Sequence, residues 1–177
     1  MVTIRRIEDA DGSSLRRLME DRWHAETVVA HGVCYVPNEL DGFIAGERGG
    51  IVGSVTFQIE ASACEVVTID AFDLHRGIGS ALLTQVELTA RAAACSRIWL
   101  VTTNDNLNVL RFYQRRGFVL CALQRDAVTS ARRLKQEIPS RGAFGIPIRD
   151  ELELKRWLVD PRSPGAIRGR LTQGKYP

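Results

Sequence analysis

Glu65-Val66-Val67-Thr68-Ile69-Asp70-Ala71-Phe72-Asp73-Leu74-His75-Arg76-Gly77-Ile78-Gly79-Ser80-Ala81-Leu82-Leu83 decides the fold. Its first half is rich in β-branched residues and predicts a strand over 64–72. Its second half changes period: from Gly77 onward, Ile78, Leu82, Val86 and Ala90 recur at i+4, the mark of an amphipathic helix. A strand that turns tightly into a helix through Gly77-Ile78-Gly79-Ser80 leaves backbone N–H groups at the helix start without partners and gives that end partial positive charge. Glycines let an anion approach this backbone closely, so phosphate is the natural ligand; Arg76 adds charge and the Ser80 hydroxyl adds a donor. Two familiar phosphate patterns do not fit. No Lys follows the second glycine, as a P-loop requires, and Leu82 stands where the dinucleotide fingerprint needs a third glycine.

A second segment lies downstream, Thr102-Thr103-Asn104-Asp105-Asn106-Leu107-Asn108-Val109-Leu110-Arg111-Phe112-Tyr113-Gln114-Arg115-Arg116-Gly117-Phe118. A helix starting near Asp105 or Asn106 places Asn106, Val109 or Leu110, and Tyr113 on one face. It ends on Arg115-Arg116-Gly117, basic residues at the negative end of the helix dipole followed by a glycine stop.

Around these segments, the pattern predicts a strand at 2–7 and a helix carrying Leu15, Leu18, Met19 and Trp23 with Ser13 or Ser14 as cap. A strand broken by His31-Gly32 follows, then a hairpin of 42–45 and 51–57 about Gly49-Gly50. Beyond the long helix come a doubly covered strand at 98–101, a strand at 118–123, a helix at 126–135, a Pro/Gly-punctuated loop at 136–149 and a last strand around Leu152 and Leu154. Residues 160–177, rich in Pro, Gly and Arg, are expected to form a basic tail on a domain of residues 1–159.

The chain has 177 residues, enough for one domain with a substantial core. A net charge of +3 without a basic stripe argues against nucleic acid as the main partner and suits an anionic small molecule. The N-terminal residues lack the apolar region of a secretory signal, and no apolar run approaches the ~20 residues of a membrane helix, so a cytoplasmic protein is expected. Cys34, Cys64, Cys95 and Cys121 form neither a C-x-x-C motif nor a zinc spacing with histidine; they read as reduced core thiols, and no metal is expected.

Taken together, the glycine turn and the segment Asn106 to Phe118 resemble the GCN5-related N-acetyltransferase (GNAT) superfamily, in particular its bacterial small-molecule members. The turn is similar to that family's acyl-CoA pyrophosphate loop, [QR]-x-x-G-x-[GA], with Leu74 at the [QR] position. The second segment is similar to N-x-x-A-x-x-x-Y-x-x-x-G-F, with Val109 in place of Ala. Gly145-Ile146-Pro147-Ile148-Arg149-Asp150-Glu151 resembles a segment near the end of some bacterial members. The resemblance implies an α/β (α+β) fold: a mixed, mostly antiparallel central sheet, splayed between its fourth and fifth strands, with helices on both faces.

It further implies acetyl-CoA as co-substrate. Its pantetheine arm would run along Ile69, Asp70 and Ala71, and its diphosphate would sit on the amides of Arg76, Gly77, Ile78, Gly79 and Ser80; Asn106 and Phe112 complete the expected cofactor contacts. A contact from Arg111, Arg115 or Arg116 to the 3′-phosphate stands beside the alternative of a solvated basic face. The acetyl group would pass to a primary amine by direct attack, with Tyr113 as general acid and Glu65 as general base, directly or through a water. Simple alternation puts Glu65 on the face of Val67 and Ile69, and the alternative base, Asp70, on the opposite face unless a bulge intervenes. The acceptor side would be built by residues 19–35, with Trp23, His24 and His31, and 124–149; amino sugar, polyamine, amino acid, aminoglycoside and protein N-terminus all stay open, as do monomer and homodimer. The competing function is a catalytically weak acyl-CoA-binding or protein-interaction module on the same fold.

Overall fold

The structure is a computed structural model that describes residues 1–23, 26–72 and 76–159, excluding the side chains of residues 22 and 23. The side chain of Trp23, together with His24, Asp73, Leu74, His75 and the segment 160–177, lies outside the described residues.

Among the described residues, nine strands and four α-helices follow in chain order. They are β1 (Thr3–Arg6), α1 (Gly12–Trp23), β2 (Val28–Ala30), β3 (Val33–Tyr35), β4 (Asp41–Glu47), β5 (Gly50–Glu60), β6 (Ala63–Ala71), α2 (Ile78–Ala92), β7 (Arg97–Thr103), α3 (Leu107–Gln114), β8 (Val119–Gln124), α4 (Ala127–Ala131) and β9 (Glu151–Trp157). Seven strands form one sheet in the order β1-β4-β5-β6-β7-β9-β8. Every pairing in it is antiparallel except β6 with β7. This is the mixed α/β architecture expected from the sequence. The residues read as one strand broken at His31-Gly32 instead form a hairpin, β2–β3, apart from the main sheet. His31 and Gly32 both have positive φ (40° and 81°), and that turns the chain back on itself.

The apolar faces read from the sequence meet in one core. Ile78, Leu82, Leu83, Val86 and Ala90 of α2 pack with Phe43, Ala45, Val55, Phe57, Val66, Ile98, Leu100 and Leu154 of the sheet, and with Tyr113 and Phe118. Leu82, Val86 and Ala90 are wholly buried, and at ~25 cal/mol per Å² such side chains supply much of the stability of the fold. Two cysteines belong to this core: Cys64 and Cys95, with burial pushing the Cys64 thiol up to about 12. Cys34 and Cys121 do not; both are exposed, because they sit on the hairpin and on the edge strand β8 rather than beneath a helix.

Two local features shape the sheet around the site. The β5–β6 register runs Thr56↔Thr68 and then Phe57↔Val66, so Val67 is an extra residue, a β-bulge. It inverts the alternation beyond it. Val66, Ile69 and Ala71 belong to the α2 side, while Glu65, Thr68 and Asp70 lie with their β5 partners Gln58, Thr56 and Ser54 on the other. The expectation that Glu65 and Asp70 face opposite ways is thereby corrected. The second feature is the β6–β7 pairing, which covers only Ala63↔Arg97, Cys64↔Ile98 and Glu65↔Trp99. Beyond Glu65 the two strands part, whereas β7 stays paired with β9 through Thr103.

Gly53 is where α2 comes closest to the sheet: a Cβ there would stand 2.8 Å from the Asp70 carbonyl oxygen and 2.8 Å from Ile78 Cγ2. Gly53→Ala is expected to cost about 1–3 kcal/mol through overpacking, read as a lower denaturant midpoint. Asp150, just before β9, accepts from the Asp126 amide and from the Arg149 guanidinium, which holds its carboxyl down at about 2. Its contribution is complete above the ordinary carboxylate value of 3.8 and fades as pH falls towards 2. Thermal melts of wild type and Asp150→Asn are therefore expected to differ most above pH 4 and to converge as pH drops to 2.

Candidate active site

The split between β6 and β7 is the organising feature. Among the described residues, the β6–β7 pairing ends at Glu65 and Trp99, so the split has room for an extended ligand that pairs as an added strand would. Ile69, Asp70 and Ala71, singled out from the sequence, all lie in this part of β6, and each pairs with β5.

At the end of β6 the chain enters α2 through Gly77, whose left-handed conformation (φ 75°, ψ 4°) is natural for glycine. The first amides of α2, those of Ile78, Gly79 and Ser80, stand at its positive end. The Ile78 side chain itself is buried in the core. Gly79 lies against Phe112, with 3.5 Å between its Cβ position and the ring, so the glycine turn and the second motif meet directly. Arg116 completes the junction: its guanidinium stacks 3.6 Å from the Phe112 ring centroid, donates to the Phe112 carbonyl and donates to the Ser80 hydroxyl. Arg116 thus brings a charge to the start of α2, a role the sequence left open between solvated surface and phosphate contact. The Arg76 guanidinium, by contrast, is bound by both carboxylate oxygens of Glu47 at 2.8 and 3.0 Å. Asn106 caps the start of α3 without a side-chain capping bond.

Tyr113 lies on the buried face of α3, 1% exposed and edge-on to Phe112 and Phe118 at 5.0 and 4.9 Å between ring centroids. Its hydroxyl makes no hydrogen bond to the described residues. Burial raises the phenol's pKa above its usual value, with Arg116 opposing weakly.

Glu65 occupies the other face of the sheet, at the last β6–β7 pair, and is 3% exposed. Its Oε1 is 2.8 Å from His31 Nε2; its Oε2 accepts from the Tyr35 hydroxyl at 3.1 Å and from Gln58 Nε2 at 2.9 Å. Gln58 also donates to the Tyr35 hydroxyl, which is 3.0 Å from His31 Nε2. Burial and the Glu65 charge push the Tyr35 phenol well above its ordinary range. The His31 ring, 20% exposed, leans on Trp99 at 5.3 Å. From the same turn, the His31 amide donates to Glu151 Oε2 at 3.0 Å. One hairpin residue thereby links two buried carboxylates, one on β6 and one on β9.

Beside this cluster lies a cavity of about 270 Å³, between the hairpin, α4, the loop after it and the ends of β7 and β9. Glu151 and Thr103 lie at the strand ends; Val28, Val128, Ala131 and Ile148 give it apolar walls. The loop across the cavity is fixed by Asn104, whose side chain bonds the Pro147 carbonyl and the amides of Arg149 and Asp150, and by Asp105, which accepts from the Ala143 amide.

Sequence reasoning missed Tyr35, Gln58 and Glu151. Gln58 faces Glu65 only through the β5–β6 register, and Tyr35 and Glu151 arrive from elements far apart in the chain. Among the described residues, no group of three or more His, Cys, Asp or Glu side chains is arranged to hold a metal ion, and no helix is long and apolar enough to cross a membrane. Tyr35→Phe removes a donor from the buried Glu65 carboxylate and is expected to lower unfolding free energy by about 1.5–3 kcal/mol in denaturant titration.

Comparison with known proteins places this geometry. The chain is 47% identical over 128 residues to the uncharacterised protein YdhI of Bacillus subtilis (strain 168), covering 72% of this chain and 79% of that protein. Its fold is similar to an IAA acetyltransferase from Bacillus cereus ATCC 14579, with TM-score 0.68, 23% identity and coverage of 89% of this chain and 99% of the other. It is also similar to a GNAT family acetyltransferase from Elizabethkingia anophelis with acetyl-CoA bound, with TM-score 0.63, 17% identity and coverage of 88% and 97%. Residues 4–118, which include both the glycine turn and Tyr113, match the acetyltransferase (GNAT) family, to which this chain therefore belongs.

Proposed function

We propose that the protein transfers an acetyl group from acetyl-CoA to a primary amine. The observation that carries this reading is the split itself: an open strand edge on β6 leads to the amides of a glycine-led helix, with a buried phenol on one face of the sheet and a buried carboxylate on the other. A neighbour of the same fold has acetyl-CoA bound.

The residues present fit this co-substrate. The backbone of β6 at Ile69, Asp70 and Ala71, beyond the last β6–β7 pair, suits the two amides of a pantetheine arm. The amides of Gly77, Ile78, Gly79 and Ser80, with Arg116 beside them, suit a diphosphate. The Arg76 amide belongs to the same turn, while its guanidinium serves Glu47. Asn106 and Phe112 border the arm from α3. Acetyl-CoA supplies an activated acyl carbon, so neither a covalent enzyme intermediate nor a metal is required.

An amine with pKa near 10 arrives mostly as ammonium and must lose a proton before it attacks. Glu65 accepts from Tyr35 and Gln58, lies against His31 and is nearly inaccessible, so it works as a base through His31, whose ring is the more exposed of the two. The carboxylate orients the imidazole and stabilises the imidazolium formed when His31 takes the amine proton. As the new C–N bond forms and the C–S bond breaks, Tyr113 gives its phenolic proton to the departing thiolate; the acylated nitrogen then releases its second proton to solvent, and solvent restores the proton of Tyr113. Asp70 is on the same face as Glu65 but one residue pair beyond Thr68, and it serves the split through its backbone.

Tyr113→Phe separates the roles. Turnover is expected to fall about 10²–10⁴-fold, with acetyl-CoA affinity kept and the melting temperature little changed, because the hydroxyl makes no hydrogen bond to the described residues. Equal turnover in Tyr113→Phe would exclude it as the acid. Full acetyl-CoA affinity without thiol release for any amine would favour the binding-module alternative.

A further inference from the structure

We propose that the cavity between the β2–β3 hairpin, α4 and the ends of β7 and β9 holds the acceptor, and that the acceptor is a primary monoamine on a compact apolar body, its ammonium bound by Glu151. The proposal rests on the acetyltransferase reading above and narrows it.

Three observations carry it. First, location: Thr103 belongs both to the wall of the cavity and to the lip of the split, and Glu151 pairs with it on β9, so the cavity adjoins the place where the acyl group would lie. Second, charge: Glu151 is 3% exposed, lines the cavity and uses only Oε2, towards the His31 amide; Oε1 has no hydrogen-bond partner among the described residues. Burial raises its carboxyl above the ordinary value, the cost of a charge that an incoming ammonium offsets. The other charged groups on the lining are Lys135, whose ammonium donates to the Thr27 carbonyl at 2.7 Å, and Glu137 on the exposed rim. Glu137 balances the Lys135 charge, which leaves Glu151 as the uncompensated group of the lining and favours a cation over a zwitterion.

Third, shape and polarity: about 270 Å³ falls below the ~300–1,000 Å³ of drug-sized ligand sites. Valine, isoleucine, alanine and proline side chains dominate the walls. An amino sugar would bury its hydroxyls against these walls without partners, and a polyamine's second ammonium would find a carboxylate only at Glu137 on the exposed rim, where water screens the pair and little is gained. A branched alkyl or single-ring aralkyl amine leaves nothing unpaired. His31, whose amide bonds Glu151 and whose ring bonds Glu65, links this ammonium site to the proposed base.

The test uses the full chain. With acetyl-CoA, thiol release is measured for isopentylamine, phenethylamine, spermidine and glucosamine. The expected result is a kcat/KM at least tenfold higher for the two monoamines, and a KM for them at least tenfold higher in Glu151→Gln with kcat and the KM for acetyl-CoA within about twofold of wild type. Preference for spermidine or glucosamine, or an unchanged monoamine KM in Glu151→Gln, overturns the proposal. Val29→Phe, on the half-buried cavity wall away from the core, provides a second variant that is expected to exclude phenethylamine if Glu151→Gln does not fold. Calorimetric titration of phenethylamine into the CoA-saturated protein tests the cavity without turnover: saturable binding that is lost in Val29→Phe supports it, and absence of binding overturns it. Failure of acetyl-CoA itself to bind overturns the acetyltransferase reading, a result distinguishable from failure of the cavity assignment.

Discussion

A parallel pair of strands that stops after three residues is the constraint on which the rest depends. Backbone amides and carbonyls must be paired or solvated, so a sheet that opens in its middle exposes two rows of hydrogen-bonding groups where most sheets have none. Two features hold the gap open. The extra residue at Val67 bends β6 just past its last bond to β7. The antiparallel partner β9 keeps β7 straight through Thr103, so β7 cannot follow.

The same bulge sorts the chemistry. Without it, alternation along β6 would place Thr68 and Asp70 in the core beside α2. With it, Ser54, Thr56 and Gln58 of β5 meet Asp70, Thr68 and Glu65 of β6 as a buried polar row, with Thr56 and Thr68 hydroxyls 2.7 Å apart. That row lies under the hairpin, and the apolar side chains lie on α2. The proposed acid, Tyr113, and the proposed base, Glu65, lie on opposite faces of the sheet, near the gap in it.

Much of this was legible in the chain. The switch from period two to period 3.6 at Gly77 located β6 and α2, because an apolar stripe every fourth residue satisfies a helix and no strand. The spacing of Asn106, Tyr113 and Gly117 located α3 and its end. Tyr113 and Glu65 were singled out by the resemblance to the GNAT superfamily, and the local pattern gave only the elements that carry them. His31 was visible as a residue but not as a partner of Glu65, and Arg116 was visible as a charge but not as the guanidinium that stacks on Phe112 and reaches Ser80.

Local pattern in the amino-acid chain determined which segments are strands and helices, where a glycine-led helix would offer its amides, and which acidic and phenolic groups were available. Tertiary structure alone decided which face Asp70 takes, that Tyr35 and Gln58 close around Glu65, and that Glu151 reaches His31 across 120 positions of the chain. Helix and strand periods are set by the bonding of near neighbours, whereas strand register, a bulge and the docking of a hairpin are set by contacts between distant segments, which no local pattern records.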